Sequence, residues 1–563
     1  MNILGLNYFF HDSTACIVVD GQLVAAVEEE RLTRQKHTSA FPHLAIDQCL
    51  NIAGLEAKDI DYIAVSIKPT CNWATKLLYP LKSFGNIKTF YKHEFLRAFY
   101  RQREFWGWYN FTWGDNTLQK PEVHFIEHHL AHVEGSFFVS PYEKAALLSL
   151  DGSGEWATSY LGVGEGNKTT CFQQSYFPMS LGAFYEAATE FCGFRPNYDE
   201  GKTMGLAPFG DPDVFYPIVD KIITLSNHGD ISIDLSYFNY QYWGHQRCSG
   251  KFYETFGKPR GRYDDFQEHH YNVAAAFQKV LEEKTLQLCQ LLRKKSKADF
   301  LVVAGGVALN SVMNGRIVKE SDFHDIYVMP AAGDNGTAIG AAYCLYHRVL
   351  DQPRCFVHND PYVGSFFTDE EIAATISNCK LRADFYEDIT EIGATLLNQG
   401  KIIGWFQGKT EIGPRALGNR SILANPTLVH MKDKINAEVK HREAYRPFAP
   451  SSIEERCHEF FDLDVKAPFM LKVCNVLDEK KALLPAITHV DGSARLQTVS
   501  NKTNPLYHKL ISRFGELTGV PVVLNTSFNV MGEPVVETPL DAIRCFFSTG
   551  IDVLIMGSYV IKK

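Results

Sequence analysis

Paired cysteines are missing from this sequence. Its 13 cysteines are scattered singly from Cys16 to Cys545, and no two stand as Cys-x-x-Cys. That excludes a zinc ribbon and argues against a disulfide framework, leaving ordinary core thiols. Long apolar runs are missing as well: nothing approaches the roughly 18 uninterrupted residues a membrane helix needs. The opening Met1-Asn2-Ile3-Leu4-Gly5-Leu6 has no positively charged start and no cleavage site, so a cytoplasmic protein away from the membrane is expected. Basic residues are not in excess either. The net charge of −9 speaks against nucleic acid as a partner, because phosphate backbones attract clustered Lys and Arg. A local basic site for a phosphorylated small molecule stays compatible with it.

What is present is the composition of a soluble globular protein, 45% apolar and 21% charged over 563 residues, a length that calls for two or more domains. Met1 to Tyr8 reads as a strand, followed by a polar turn around His11, Asp12 and Ser13. Thr14–Val19 and Gln22–Val27 flank Asp20-Gly21, a hairpin signal because both turn residues tolerate positive φ. Three later strands run into glycine turns: Ala145–Leu150 into Asp151-Gly152-Ser153-Gly154, Phe300–Ala304 into Gly305-Gly306-Val307-Ala308-Leu309-Asn310, and Ile326–Met329 into Ala332-Gly333-Asp334-Asn335-Gly336. Strand, glycine turn and helix together form an α/β nucleotide site, where backbone N–H groups meet phosphate. The three turns imitate those of actin-like, sugar-kinase-like ATPases, although any one alone is an ordinary turn. The composition changes at Leu350–Gly364, which divides the chain into 1–355 and 356–563. The aromatic-rich stretch at about 73–120 breaks the surrounding pattern and reads as an insertion, either packed on the core or capping an acceptor site.

His128 and His132 are four residues apart, so on a helix both imidazoles leave one face and suit one divalent metal. Asp151 and Asp334, beside glycine turns, complete a candidate set of two His and two Asp. Such mixed ligands fit iron, manganese or zinc better than calcium. In the C-terminal part Arg415, Arg420, Lys440, Arg442, Arg446 and Arg495 stand among Gly, Pro and Ser, and Asn525, Ser527 and Asn529 follow the apolar run Val520–Leu524. A solvated basic face is the plain alternative, but arginines in such loops suit bidentate recognition of phosphate or carboxylate.

The chain resembles the O-carbamoyltransferases of antibiotic and nodulation-factor biosynthesis over essentially its whole length. The resemblance rests on Ile3–Asn7, His11-Asp12-Ser13, Val27–Arg31, Lys36-His37, His128-x-x-x-His132, Asp151-Gly152, Gly201-Lys202-x-Met204-Gly205-Leu206-Ala207 and Gly305–Asn310. It continues in Gly413–Gly418, Arg446–Pro450 and Asn525–Asn529. It implies an α/β chain in which an actin-like N-terminal domain precedes a YrdC-like C-terminal domain, with Lys440-x-Arg442 and Ser527-x-Asn529 as the latter's motifs. The C-terminal domain is then expected to make carbamoyl-adenylate from carbamoyl phosphate and ATP, releasing pyrophosphate. The N-terminal domain is expected to hand the carbamoyl group to a small-molecule alcohol.

On that resemblance His128, His132, Asp151 and Asp334 hold a divalent transition metal, with iron as the family's ion, and Mg2+ accompanies ATP. Gly152, Lys202, Gly305, Gly306, Asn310, Gly333, Ser527 and Asn529 bind nucleotide. Arg415, Lys440, Arg442, Arg446, Arg495, Asn525 and Ser527 bind carbamoyl phosphate. His11, with Asp12, matches the base that takes the alcohol proton, while Lys440 and Arg442 serve adenylate formation. Phe9-Phe10 stands where a family member carries an acidic residue before this histidine. A homodimer is compatible with the sequence. Related enzymes of hydrogenase maturation carry Cys-x-x-Cys pairs, which are absent here. Transfer to a macromolecule and a non-catalytic actin-like nucleotide-binding protein are the alternatives.

Overall fold

The structure is a computed structural model that describes residues 1–82, 87–114, 119–242, 246–443 and 445–563. Contacts divide the chain into two compact units. One comprises Met1–Ala25 and His37–His358, the other Ala26–Lys36 and Asn359–Lys563. The short segment Ala26–Lys36 therefore groups with the C-terminal part, which no single cut along the sequence expresses.

The first unit is α/β and carries two five-stranded sheets. One contains β1 (Asn2–Asn7), β2 (Thr14–Val19), β3 (Gln22–Glu28), β4 (Tyr62–Val65) and β5 (Glu122–Phe125) in the order β3-β2-β1-β4-β5. After it come β6 (Lys144–Gly154), β7 (Ala157–Glu165) and β8 (Lys168–Tyr176), a small hairpin of β9 (Ile223–Leu225) and β10 (Ile231–Ile233), then β11 (Phe300–Ala304) and β12 (Asp325–Val328). The second sheet runs β12-β11-β6-β7-β8. In each sheet a first strand pairs antiparallel with the next strand of a meander and parallel with a later strand. The same arrangement occurs twice, which is the two-lobed actin-like plan expected from the glycine turns. The Asp20-Gly21 hairpin forms as read, with φ of 47° and 82°.

Helices close the sheets where small residues let backbones meet. His128–Phe138 crosses Thr337–Tyr343 at Gly135 and Gly340. A Cβ added at Gly340 would lie 1.8 Å from the carbonyl oxygen of Ala131, so only glycine permits this crossing. Among the described residues no helix is long and apolar enough to cross a membrane. The described part of the aromatic insertion is helical, as Trp73–Lys82, Ile87–Tyr91 and Arg97–Trp113, the last two joined by a wider turn at Lys92–Leu96. Residues 83–86 and 115–118 of it lie outside the described set.

One sequence expectation fails locally. Asp151-Gly152-Ser153-Gly154 does not lead into a helix. The strand carries on through a bulge between Leu150 and Gly154 and turns back at once into β7. Glu155 and Trp156 make that turn with φ of 51° and 89°, the positive values a tight hairpin demands.

The second unit is also α/β. Its strands are β13 (Asp384–Phe385), β14 (Ile403–Phe406), β15 (Arg420–Ala424), β16 (Ala449–Ile453), β17 (Phe461–Asp462), β18 (Cys474–Val476), β19 (Ser493–Ala494), β20 (Gln497–Val499), β21 (Val522–Ser527), β22 (Val553–Met556) and β23 (Tyr559–Lys562). Eight form a mixed sheet, β13-β23-β22-β14-β15-β21-β16-β20, and β17 to β19 a small one. Helix Pro505–Thr518 opens on an Asn504 cap and ends at Gly519 with φ 77°, the usual start and stop signals. It buries Tyr507, Leu510, Ile511 and Phe514 against Trp405 and Ile555. Each such burial stabilises the fold by about 2 kcal/mol. Strand β21 extends to Ser527, so Asn525 and Ser527 sit on the strand rather than in the loop after it.

Candidate active site

In the first unit the carboxyl ends of β6, β11 and β12 lie side by side, with Ser149 opposite Ala304 and Val303 opposite Val328. Ligands gather at such strand ends in α/β sheets. Helix His128–Phe138 starts beside them, its first turn capped by Glu127, whose carboxylate accepts from the Leu130 N–H at 2.8 Å. One helical turn separates His128 from His132, and their Nε2 atoms approach to 3.1 Å. His128 Nε2 stands 3.6 Å from Asp151 Oδ2 and from Asp334 Oδ1, and His132 Nε2 is 3.4 Å from Asp334 Oδ1. All four ligand atoms lie within 4.8 Å of one another, and all four residues are buried. Two imidazole nitrogens and two carboxylates aimed at one point, with little water, fit a divalent transition metal.

The surroundings hold these groups in place. Asp151 accepts from the Gly306 N–H through Oδ1 at 2.9 Å, which leaves Oδ2 for the centre. A Cβ at Gly154 would fall 1.8 Å from the His128 ring, so this glycine makes room for the imidazole. Burial alone would raise the two carboxyls, yet the facing histidines hold Asp151 well below, and Asp334 below, the ordinary carboxylate range. Burial likewise disfavours a charged His128, but Asp334 and Asp151 push it up to about 9. His129, between the two, faces elsewhere: its Nε2–H donates to the Ala157 carbonyl at 2.9 Å and its Nδ1 meets Ser149 Oγ at 3.2 Å. Burial pulls it down to about 3, so it is a neutral core histidine.

His11 sits at the rim of this quartet, 36% exposed, with Nε2 3.7 Å from Asp334 Oδ2. Its Nδ1 bonds Asp12 at 2.9 Å, and the other oxygen of Asp12 bonds His37 Nδ1 at 2.7 Å. Asn7 pins the turn by donating to the carbonyls of His11 and Asp12. Asp12 adopts φ 55°, a left-handed conformation that Asp tolerates.

Other expected nucleotide residues split. Gly152 lies near Glu186, whose Oε1 would be 3.1 Å from an added Cβ, and Gly305 has φ 88°. Gly333 precedes the short turn that carries Asp334. Lys202 is paired with Asp199 at 2.9 Å, and Asn310 caps a helix and exchanges hydrogen bonds with Gln278.

The second unit gathers its expected residues around β21. Lys440, buried, donates from Nζ to Asn529 Oδ1 at 2.8 Å, to the Asn529 carbonyl at 3.0 Å, and to the Ser527 carbonyl. Ser527 Oγ donates to Asn529 Oδ1 at 2.7 Å. Arg442 is braced by Asn436 Oδ1 at 2.8 Å and lies over the Phe448 ring. Arg415, Arg442, Arg446 and Arg495 stand close enough to repel one another. Burial first, then this repulsion, lowers Arg415, Arg442 and Arg495. The Nε atoms of Arg415 and Arg495 have no hydrogen-bond partner among the described residues. Desolvated like charges with spare donors suit an anionic ligand.

Two expected or neighbouring residues serve the fold instead. Asn525 spends its amide N–H groups on Ala416, Ser451 and Gln497. Arg420 is fully buried, bonded to the carbonyls of Gln407, Gly408 and Asn419 and stacked on Phe406.

Sequence reasoning passed over Glu155. Its carboxylate accepts from the His128 N–H at 2.7 Å and the Lys68 N–H at 2.6 Å, anchoring the ligand helix. No local signal in the sequence marks it, because its partners are backbone N–H groups 27 and 87 residues away.

The description Carbamoyltransferase N-terminus matches residues 2–343, and Carbamoyltransferase C-terminus matches residues 394–563. The chain is 38% identical to Nodulation protein NolNO of Sinorhizobium fredii over 99% of this chain and 80% of that protein. It is 40% identical to an uncharacterized protein of Synechocystis, covering 100% of this chain and 97% of that one. A 3'-hydroxymethylcephem-O-carbamoyltransferase of Amycolatopsis lactamdurans is 31% identical over 64% of each chain.

Proposed function

This chain belongs to the carbamoyltransferase family and is an enzyme that transfers carbamoyl groups; we propose that it carbamoylates the hydroxyl of a small-molecule alcohol, using carbamoyl phosphate and ATP. The observation that carries this reading is His11 at the rim of the buried His128, His132, Asp151 and Asp334 quartet, its Nε2 3.7 Å from Asp334.

The second unit, centred on 356–563, binds carbamoyl phosphate through Arg415, Arg442, Arg446 and Arg495. It forms carbamoyl-adenylate there, taking up water and releasing phosphate and pyrophosphate. Lys440, locked by Ser527 and Asn529, fixes the strand end that faces the nucleotide, and Mg2+ accompanies ATP. The first unit, centred on 1–355, carries out the transfer. His128, His132, Asp151 and Asp334 would hold a divalent transition metal, iron on the family resemblance, which when bound would supply positive charge to offset that of the adenylate phosphate. The alcohol oxygen attacks the carbamoyl carbon, the bond from that carbon to the phosphate oxygen breaks, and AMP departs. Asp12 holds Nδ1–H of His11, which leaves Nε2 to receive the alcohol proton. The helical insertion over the His11 turn serves as the acceptor's cap.

The test is direct. The purified full chain, given ATP and carbamoyl phosphate, should release pyrophosphate in a carbamoyl-phosphate-dependent manner. A screen of alcohols by mass spectrometry should then yield a product heavier by one carbamoyl group. No pyrophosphate in that assay would rule the reading out.

A further inference from the structure

Residues 87–114 form a basic island in an acidic chain, with five Lys or Arg (Lys88, Lys92, Arg97, Arg101, Arg103) against Glu94 and Glu104. Within this stretch a cavity of about 330 Å³ is lined by Lys92, Leu96, Arg97, Tyr100, Arg101 and Glu104. Glu104 pairs with Arg101 at 2.9 Å, and Glu94 pairs with Lys76 at 3.1 Å. Among the described residues, no carboxylate forms an ion pair with Lys92 or Arg97, and Arg97 feels the more distant attraction of Glu94, itself paired with Lys76. The cavity's apolar wall is Leu96 and Tyr100, 46% and 57% exposed.

The cavity is tied to the catalytic turn. Arg97 donates to the carbonyl of Phe10, the residue before His11, at 2.7 Å. Arg101 donates to Ser39 Oγ at 2.9 Å, two residues beyond His37. Arg97 and Arg101 are one helical turn apart and project on the same side. Burial and the neighbouring Arg101 both disfavour the charge on Arg97, a cost that a bound anion would remove.

We propose that this cavity recognises the acceptor, and that the acceptor is an alcohol carrying an anionic group next to an apolar or aromatic part. Lys92 and Arg97 take the anion, Tyr100 and Leu96 take the apolar part, and the Arg97–Phe10 bond sets the distance to His11. This rests on the carbamoyl-transfer reading above and specifies its substrate class.

Matched probes test it: 4-(hydroxymethyl)benzoate, its neutral amide 4-(hydroxymethyl)benzamide, the cationic 4-(aminomethyl)benzyl alcohol, and 4-(hydroxymethyl)phenyl phosphate. Each is titrated calorimetrically into the full chain and then offered as acceptor with ATP and carbamoyl phosphate. The benzoate or the phosphate ester should bind at least ten-fold more tightly than the amide and be carbamoylated with a correspondingly higher kcat/KM. The two arms tell a carboxylate-reading site from a phosphate-reading one. Lys92→Gln with Arg97→Gln should reduce the preference to within about two-fold, Arg97→Lys should keep most of it, and Arg103→Gln should leave it intact. Equal or better binding of the amide or the amine overturns the proposal, as does a preference that survives in the double variant. If pyrophosphate is never released while anion-selective binding is seen and lost in the double variant, the cavity assignment stands and the carbamoyl-transfer reading alone falls.

Discussion

A methyl group at position 154 would lie 1.8 Å from the His128 ring, so Gly154→Ala probes the proposed metal quartet without altering any of its four side chains. The ring must move, and the loss should be specific: metal content falls severalfold while the cooperative thermal transition remains. His132→Ala removes a ligand outright. Wild-type protein should carry about one divalent transition metal per chain, and the His132 variant close to none, a difference of whole kcal/mol in affinity. Elemental analysis of both variants and the wild type decides this, and equal metal in all three would refute it. The His128 and His132 pair was legible because helical periodicity alone fixes which side chains share a face. Glu155 was not legible, since its partner is a backbone N–H 27 residues earlier, and no local pattern encodes a carboxylate that reaches across a bulge.

At the scale of elements, the arginine-bearing loops around β21 hold like charges together at a cost in stability. Arg495→Gln should therefore raise the thermal midpoint of the ligand-free protein by about one degree, about 1 kcal/mol. The same change should abolish the upward shift that pyrophosphate or carbamoyl phosphate gives the wild type through preferential binding to the folded state. A wild type that pyrophosphate does not stabilise would dissolve the anion site. The insertion makes a second test. Trp106 is 40% exposed on the helix Arg97–Trp113, whereas Trp108 packs on Phe41 and Trp113. Trp106→Ala should raise the acceptor KM with pyrophosphate release unchanged, and Trp108→Ala should lower stability by about 3 kcal/mol. Unchanged acceptor kinetics in the Trp106 variant would make the insertion a packing element only. Sequence periodicity found the glycine turns at Gly305 and Gly333, which do lead into helices. It misread the turn at Gly152, because a bulged strand and a strand that enters a helix share the same glycine-rich ending.

For the whole molecule the question is whether two chemistries reside in two units. The His/Asp quartet with His11 lies in the first compact unit, and Lys440 with its arginines lies in the second. The allegiance of Ala26–Lys36 to the second unit was not legible in the sequence, because it depends on contacts such as Arg31 to the Gly413 carbonyl at 2.6 Å. If the second unit makes carbamoyl-adenylate, Lys440→Ala and Arg442→Ala should abolish carbamoyl-phosphate-dependent pyrophosphate release. Each lost contact should be worth ~3 kcal/mol, about two orders of magnitude in rate. Lys440→Ala also leaves Ser527 and Asn529 without their shared donor, so Lys440→Met, which keeps the stem, guards against misfolding. All three variants should still carbamoylate the alcohol when carbamoyl-adenylate is supplied ready-made. His11→Ala and His132→Ala should behave in the opposite way, with pyrophosphate released at the wild-type rate and no carbamoylated product. The two assays, pyrophosphate detection and product mass, are run on every variant with both substrate sets. A folded Lys440 variant that also fails with supplied carbamoyl-adenylate would mean that Lys440 acts in transfer as well. One composite site would then replace the division of labour, since a residue confined to the first step cannot change the rate of the second.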